Sequence, residues 1–118
     1  MNNETTLIIP EGVTSIGDYV FAWCTSLNNI VIPEGVTIIG TGVFEDCSSL
    51  TSINIPNSVT NIDDYAFLGC TSLKEVVIPE GVISIGYNAF YGCTSLTNIV
   101  IPEGVTSIGM YAFAYTAH

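Results

Sequence analysis

The residues best able to do chemistry in this chain are four cysteines, one histidine and eleven acidic residues. The cysteines stand at positions 24, 47, 70 and 93, each 23 residues from the next. A zinc site needs ligands that converge on one point, whereas an even spacing arranges them in a row. We therefore predict a ladder of buried thiols. Disulfides between adjacent rungs are the alternative, but parallel side chains hold their Cβ atoms further apart than the ~3.8 Å that a disulfide prefers.

Neither the histidine nor the carboxylates form a catalytic pattern. Nucleophilic catalysis needs a base beside the nucleophile, and the only histidine is His118, the final residue. Acidic neighbours occur as Glu45-Asp46 and Asp63-Asp64. Side chains adjacent in sequence point in different directions, whereas a glycosidase-type pair must face across a cleft. We therefore expect no enzyme, with no catalytic residue, no cofactor and no metal ion.

The chain is strongly acidic. Eleven Asp and Glu residues stand against one basic residue, Lys74, which gives a formal net charge of -10. Phosphate contacts require Lys and Arg, so we expect no nucleic-acid partner. No stretch approaches the ~18 apolar residues of a membrane span, so we expect no membrane insertion. The first residues lack the basic start and the apolar core of a signal peptide.

The prolines and phenylalanines show which elements must position these residues. Every proline falls at 10, 33, 56, 79 or 102, and every phenylalanine falls at 21, 44, 67, 90 or 113. A period of 23 predicts a solenoid, in which each coil buries its apolar side chains by stacking on its neighbours. We predict a single domain, 1–118, with five coils at about 7–27, 28–50, 51–73, 74–96 and 97–118.

Each coil contains a strand, a second short extended segment and a compact turn. Residues 30–32 can place two side chains inward and one outward, as a half-buried strand requires. Pro33 ends this strand because proline has no amide hydrogen to donate to the hydrogen bonds of a sheet. Gly35 and Gly40 mark positions that need a positive φ or a close approach. The segment around Phe44 is too short for a stable helix, so we predict a single helical or 3₁₀ turn there.

The third coil departs most from this pattern. It has Asn57-Ser58 where other coils have Glu-Gly, and Asp63 where they have the second glycine. These residues are tolerated in turns, and Asp and Asn visit left-handed geometry most readily among non-glycine residues. We expect a local variation there and no break in the array.

The strand motif carries a family resemblance. It repeats as Leu27-x-x-Ile30-x-Ile32, Leu50-x-x-Ile53-x-Ile55, Leu73-x-x-Val76-x-Ile78 and Leu96-x-x-Ile99-x-Ile101. With the wider pattern I-x-I-P-x-x-V-x-x-I-x-x-x-x-F-x-x-C, it resembles the BspA-like (Treponema-type) leucine-rich repeats. The resemblance implies a right-handed leucine-rich-repeat superhelix, with a parallel β-sheet on one face and short strands or 3₁₀ turns on the other. BspA-like repeats occur in bacterial and protist surface proteins that bind host or matrix proteins, which implies the cell surface or secretion if the chain is part of such a protein.

Two rows of residues are candidate binding surfaces. The outward strand positions form a stripe on the concave face: Thr6 and Ile8, Asn29 and Val31, Ser52 and Asn54, Glu75 and Val77, Asn98 and Val100. Exposed apolar stripes can mark interfaces, although Val and Ile also simply suit strands. An acidic edge follows the strands in four coils: Glu11, Glu34, Glu80 and Glu103. A calcium site needs several ligands around one point, so this row favours a solvated edge, with cations or a basic partner as the alternative.

The remaining aromatic residues cluster in the turns around the phenylalanines: Tyr19, Trp23, Tyr65, Tyr87, Tyr91, Tyr111 and Tyr115. We interpret them as cover for the edge of the core, on the convex side, with an interface as the alternative. Trp23 and Tyr115 occupy matching repeat positions in the first and last coils, where a terminal face most needs shielding.

Neither end carries a separate capping sequence of the kind that solenoids usually have. We expect a fragment of a longer array, terminal segments folded over the end faces, or copies stacked end to end. The leading functional hypothesis is a non-catalytic recognition module that binds a protein or a glycan, as part of a larger surface adhesin. The alternatives are a structural element that self-associates through the solenoid ends, and an acidic inhibitor or nucleic-acid mimic.

Overall fold

The computed structural model describes residues 6–117, which contain nine short strands and no helix. In chain order the strands are β1 (Thr6–Ile8), β2 (Ser15–Ile16), β3 (Asn29–Val31), β4 (Ile38–Ile39), β5 (Asn61–Ile62), β6 (Glu75–Val77), β7 (Ser84–Ile85), β8 (Asn98–Val100) and β9 (Ser107–Ile108). All of their pairings are parallel, and each joins residues that are one repeat apart, as in Thr6 with Asn29. The chain is therefore a parallel solenoid, as the period predicts.

The unbroken sheet of the molecule, which we call the second sheet, comes from the second extended segment of each coil. Its strand order is β2-β4-β5-β7-β9, so every coil contributes one strand. The inward residue of each strand is an isoleucine, and Ile39, Ile62 and Ile85 are buried in the three central coils. Short strands were predicted here, and they are confirmed.

The strand motif itself forms a less regular sheet, which we call the first sheet. β1 pairs with β3, and β6 pairs with β8, but no strand forms between these pairs in the described chain. Two isolated bridges, Val31 with Asn54 and Ser52 with Glu75, carry the pairing through the third coil. The local variation expected in that coil therefore occurs, and it includes the strand positions as well as the turns.

The turns that follow the strands confirm the two glycine predictions. Gly35 has a φ of 107°. A Cβ on Gly40 would lie 2.6 Å from the carbonyl oxygen of Ile16, which leaves no room for a side chain. In the third coil, the Ser58 hydroxyl accepts a hydrogen bond from the Gly35 amide at 3.0 Å and donates one to the Val36 carbonyl at 2.6 Å. This serine thus ties its turn to the coil before it.

The segment around each phenylalanine forms no helix in the described residues, and its single turns are closed by hydrogen bonds between residues three apart, as from the Cys47 amide to the Phe44 carbonyl at 3.1 Å. Two repeat positions have a positive φ, between 56° and 77°, in every coil: Tyr19, Gly42, Tyr65, Asn88 and Tyr111, and Trp23, Asp46, Gly69, Gly92 and Tyr115. A left-handed residue interrupts a right-handed helix. Alternate amides also donate to the next coil, as Phe44 does to Ala66 at 2.8 Å, so the segment forms linked turns.

The core consists of ladders of identical side chains. Successive phenylalanine rings stack from Phe21 to Phe113, with centroids 5.0 to 5.9 Å apart and planes within 19° of parallel. Phe44, Phe67 and Phe90 are fully buried beside rows of Leu, Ile and Val. No polar or charged side chain is buried among residues 6–117, so stacking of apolar side chains between coils holds the fold together.

Candidate recognition surfaces

The first sheet places four aliphatic side chains in one outward register. Ile8 lies opposite Val31 in the β1–β3 pair, and Val77 lies opposite Val100 in the β6–β8 pair. Their exposed fractions run from 47% for Val31 to 74% for Val77. We call these four residues the apolar stripe. Asn54 bridges to Val31 in the third coil, so an amide separates the two aliphatic pairs.

The other outward residues of the first sheet form a polar row beside the apolar stripe. Asn29 lies opposite Thr6, and Asn98 lies opposite Glu75, which in turn bridges to Ser52. All of these residues are exposed. The structure therefore brings the predicted stripe residues into one surface, with an aliphatic row beside a row that can form hydrogen bonds.

The acidic edge is also on the surface. Glu11, Glu34, Glu80 and Glu103 are all exposed. Among residues 6–117, no three His, Cys, Asp or Glu side chains lie close enough together to hold a metal ion. The four glutamates thus form a row of separate charges in the described structure.

Two carboxylates, Asp18 and one member of the Asp63-Asp64 pair, have structural partners that the sequence did not indicate. Asp18 Oδ1 accepts a hydrogen bond from the Thr41 amide at 3.0 Å, and Asp64 Oδ1 accepts one from the Tyr87 amide at 2.8 Å. Burial, followed by the charges of Asp64 and Asp18, raises the pKa of Asp63. These contacts link a carboxylate to the backbone of the next coil, which is a stabilising role.

The cysteines form the predicted ladder of free thiols. Cys47, Cys70 and Cys93 are buried, and Cys24 is half-buried in the first coil. Each buried Sγ donates to a phenylalanine carbonyl in the preceding coil, at 3.1 to 3.2 Å. Burial raises the pKa of Cys47 to about 11 and that of Cys93 to about 12, and it raises the pKa of Cys70 strongly. Thiols of this kind are packing groups and poor nucleophiles.

Six of the seven aromatic residues in the turns are exposed, and Tyr91 is half-buried. Tyr111 and Tyr115 are 61% and 71% exposed, and both have a positive φ. The Tyr19 ring stacks on Trp23 with centroids 6.0 Å apart, and it fills the space above Gly42. The left-handed conformation was missed from the sequence, although the signal was present. The repeat positions of Tyr19 and Trp23 hold glycine in other coils.

Two clefts open on the described surface. A cleft of about 370 Å³ is lined by Asn88, Tyr91, Tyr111 and Tyr115. A larger cleft, of about 630 Å³, lies where β5, β7 and β9 of the second sheet end, and its lining includes Asp63 and Met110.

The only histidine, His118, lies outside the described residues. No helix within 6–117 is long and apolar enough to cross a membrane.

Comparison with known proteins identifies the family. The sequence model of the BspA type Leucine rich repeat region matches residues 1–118 in six copies. The chain therefore belongs to the BspA-type leucine-rich repeat family, whose repeat fold is a non-catalytic interaction module. No curated protein sequence matches the chain.

Solved structures of bacterial repeat proteins share the fold. A leucine-rich repeat protein of Treponema pallidum is 31% identical, with a TM-score of 0.91 over 96% of this chain and 55% of its own. One from Bacteroides ovatus is 44% identical, with a TM-score of 0.86 over 92% of this chain and 30% of its own. A leucine rich cell surface protein of Faecalibacterium prausnitzii is 38% identical, with a TM-score of 0.88 over 97% of this chain and 30% of its own. The chain thus spans about half or less of these proteins.

Proposed function

We propose that this chain is a non-catalytic recognition module that binds a protein ligand through the apolar stripe. The observation that supports this most directly is the exposure of Ile8, Val31, Val77 and Val100 in one outward register of the first sheet. Fully burying a Val or Ile side chain contributes about 1.5–3 kcal/mol. Four such side chains can therefore supply much of the free energy of a specific contact, and the polar row beside them can set its orientation.

The chemistry of the remaining groups supports a binding role over catalysis. The thiols with raised pKa values are buried and bonded to carbonyl groups. The carboxylates of Asp18 and Asp64 accept hydrogen bonds from backbone amides of the next coil. Groups that are held in this way serve the stacking of the coils. The module would form part of the recognition surface of a larger cell-surface protein, of the kind that the Faecalibacterium neighbour is described as.

A charge-insertion experiment tests the stripe. The Val31→Lys/Val77→Lys/Val100→Lys variant is compared with the wild type for binding to a panel of immobilised extracellular-matrix proteins. We expect a loss of affinity of at least a hundredfold, because each lysine places a charge in an apolar contact. The matched control is Ser15→Lys/Ile38→Lys/Ser107→Lys, which adds three lysines at exposed positions of the second sheet. Undiminished binding by the stripe variant would show that the ligand docks elsewhere.

Self-association is a second candidate, supported by exposed core residues in the last coil. Ile101 and Ile108 are 40% and 48% exposed, although a further coil in a longer polypeptide would cover the same residues. Light scattering on a size-exclusion column, over a wide range of protein concentration, tests this function. A mass of 12.6 kDa at every concentration eliminates it.

The remaining alternative is an acidic inhibitor or nucleic-acid mimic. Repeating the binding assays at two salt levels tests it, because the affinity of an acidic protein for a basic partner must fall as ionic strength rises.

A further inference from the structure

The cleft between the last two coils has walls of aromatic rings. Tyr91 and Tyr115 meet edge to face, with centroids 5.2 Å apart and planes at 72°. Tyr111 and Asn88 occupy the same repeat position in adjacent coils and complete the lining. The volume of about 370 Å³ lies near the lower end of the ~300–1,000 Å³ that is typical of small-molecule sites. A cleft of this size suits one compact ring and is too small for a long peptide.

The repeat positions of the two rings hold small residues in the neighbouring coil. Ala114 stands at the repeat position of Tyr91 in the next coil, and Gly92 stands at that of Tyr115 in the preceding coil. A Cβ on Gly92 would meet only the backbone of Gly69, at 3.9 Å. Each of the two coils thus supplies one ring of the pair, and the two rings stand at different repeat positions.

The backbone of the cleft is better suited to glycine than to tyrosine. Tyr111 and Tyr115 have φ values of 62° and 58°, a region that costs a non-glycine residue about 1–3 kcal/mol. The same two positions hold Gly42 and Gly69 in other coils, which shows that the fold does not require an aromatic ring there. Both rings are also largely exposed, so they contribute little to the core. A strained position occupied by an exposed ring suggests a use for the ring itself.

The polar groups of the cleft are available to a ligand. The amide of Asn88 and the hydroxyl groups of the three tyrosines make no hydrogen bond to any residue in 6–117. An amide supplies two donor hydrogens and an acceptor oxygen, and each phenol supplies one donor and acceptor. The lining contains no carboxylate, ammonium or guanidinium group. No group of the lining could therefore form an ion pair with a charged ligand, whereas its hydrogen-bonding groups suit an uncharged one.

We propose that this cleft binds one neutral pyranose unit of a glycan. The face of an aromatic ring carries partial negative charge, which attracts the weakly positive C–H groups on the flat side of a sugar ring. The sugar hydroxyls match the donors and acceptors of Asn88 and the tyrosines. This site uses the turn segments and is separate from the apolar stripe, so it goes beyond the protein-binding function and does not depend on it.

The experiment is saturation-transfer NMR on the full chain, with irradiation of the aromatic protons. The probes are the methyl glycosides of glucose, galactose, mannose and N-acetylglucosamine, with choline and a sulfated galactoside as charged probes. We expect transfer to the C–H protons of at least one neutral glycoside and none to the charged probes. Absence of transfer to all four neutral glycosides overturns the proposal. Stronger transfer to choline also overturns it, because the cleft would then be a cage for cations.

The chain provides variants that test the cleft without harming the fold. Tyr111→Gly/Tyr115→Gly places at each position the residue that other coils have there, so folding is retained while both rings are lost. We expect the Kd for the glycoside to rise at least tenfold. The matched control, Tyr19→Gly/Trp23→Gly, changes the same two repeat positions in the first coil and should leave the Kd within twofold. Equal loss in both variants, or unchanged binding in the first, overturns the proposal.

Discussion

The first and second sheets each receive one strand position from every coil, yet only the second is unbroken. In and beside the second sheet, several polar side chains bond to one another or to the backbone of the adjacent coil. Thr60 Oγ1 donates to the Thr37 carbonyl at 3.3 Å, and the Asn61 amide donates to Ser84 Oγ at 2.5 Å. The first sheet presents aliphatic side chains to solvent, and in its third coil it is reduced to two bridges.

The difference shows how one repeat can produce two kinds of surface. Hydrogen bonds along the outside of the second sheet engage its polar groups and reinforce the stacking of the coils. The aliphatic groups outside the first sheet have no comparable partner within the described chain, so their burial is available to a ligand. In the first sheet, Asn54 stands where the other four coils have an aliphatic residue, and the pairing there is reduced to two bridges. The continuous sheet is therefore suited to stability, and the interrupted one to recognition.

The largest expected effect comes from deleting core volume under each sheet of the same coil. Ile62 in β5 is fully buried, whereas Ile53 lies between the two bridges and is slightly exposed. We expect Ile62→Ala to lower the free energy of unfolding by about 4 kcal/mol and Ile53→Ala by about 2 kcal/mol. Urea denaturation followed by circular dichroism measures both. If Ile53→Ala costs as much as Ile62→Ala, the two sheets contribute equally to stability and the contrast drawn above is wrong.

A repair of the first sheet should have a smaller, favourable effect. Asn54→Val places a strand-forming residue between the two aliphatic pairs and makes the stripe continuous. We expect a gain of about 0.5 kcal/mol in the free energy of unfolding, since strand propensities span ~1 kcal/mol. The urea midpoint gives the value, and Asn54→Ala is the control for loss of the amide alone. A neutral or destabilising result would assign the interruption to the turn at Asn57-Ser58 and not to this side chain.

The smallest expected effect lies just after β5, the central strand of the second sheet. Asp63 follows β5 at the repeat position that Gly40 and Gly86 occupy, and its pKa is raised by burial and by Asp64 and Asp18. The folded state therefore disfavours its charged form. The stability that this raised pKa contributes is present below the ordinary value of 3.8 and is lost as pH rises through the folded value.

Asp63→Asn removes this charge, so the variant should be slightly more stable than the wild type at pH 7 and equal to it near pH 3. Urea midpoints at the two pH values measure the difference. Asp64→Asn serves as the contrasting variant, because Asp64 accepts the Tyr87 amide and should lose stability at pH 7. A destabilised Asp63→Asn at pH 7 would contradict the expected sign.

The sequence predicts what repeats in every coil and predicts less well what varies. The period of 23, the buried phenylalanines and the buried thiols could be predicted because the same residue type recurs at one repeat position of each coil. Stacking of the coils then places these identical residues in one ladder. The interruption at Ser52 and Asn54 was not located, since serine and asparagine also occur in the regular strands of other coils. The left-handed turns were missed because Tyr19 and Trp23 are unusual there, and only the alignment with Gly42 and Gly69 indicates them.

For the sites, the aliphatic and acidic rows could be placed from the sequence, because strand alternation fixes which side chains face outward. The cleft beside Tyr91 could not. Its lining combines residues from different repeat positions of two coils and includes two rings at 72° to each other, which no periodic pattern specifies.

The thiol ladder determines how the protein responds to oxidants. Disulfide exchange and oxidation proceed through the thiolate, and the thiolate is scarce when the pKa of Cys47 is about 11 and that of Cys93 about 12. These rungs are also shielded by the coils on either side. The half-buried Cys24 is therefore the first rung that an oxidant reaches, and the reduced interior persists through slow reaction kinetics even where no reductant is supplied.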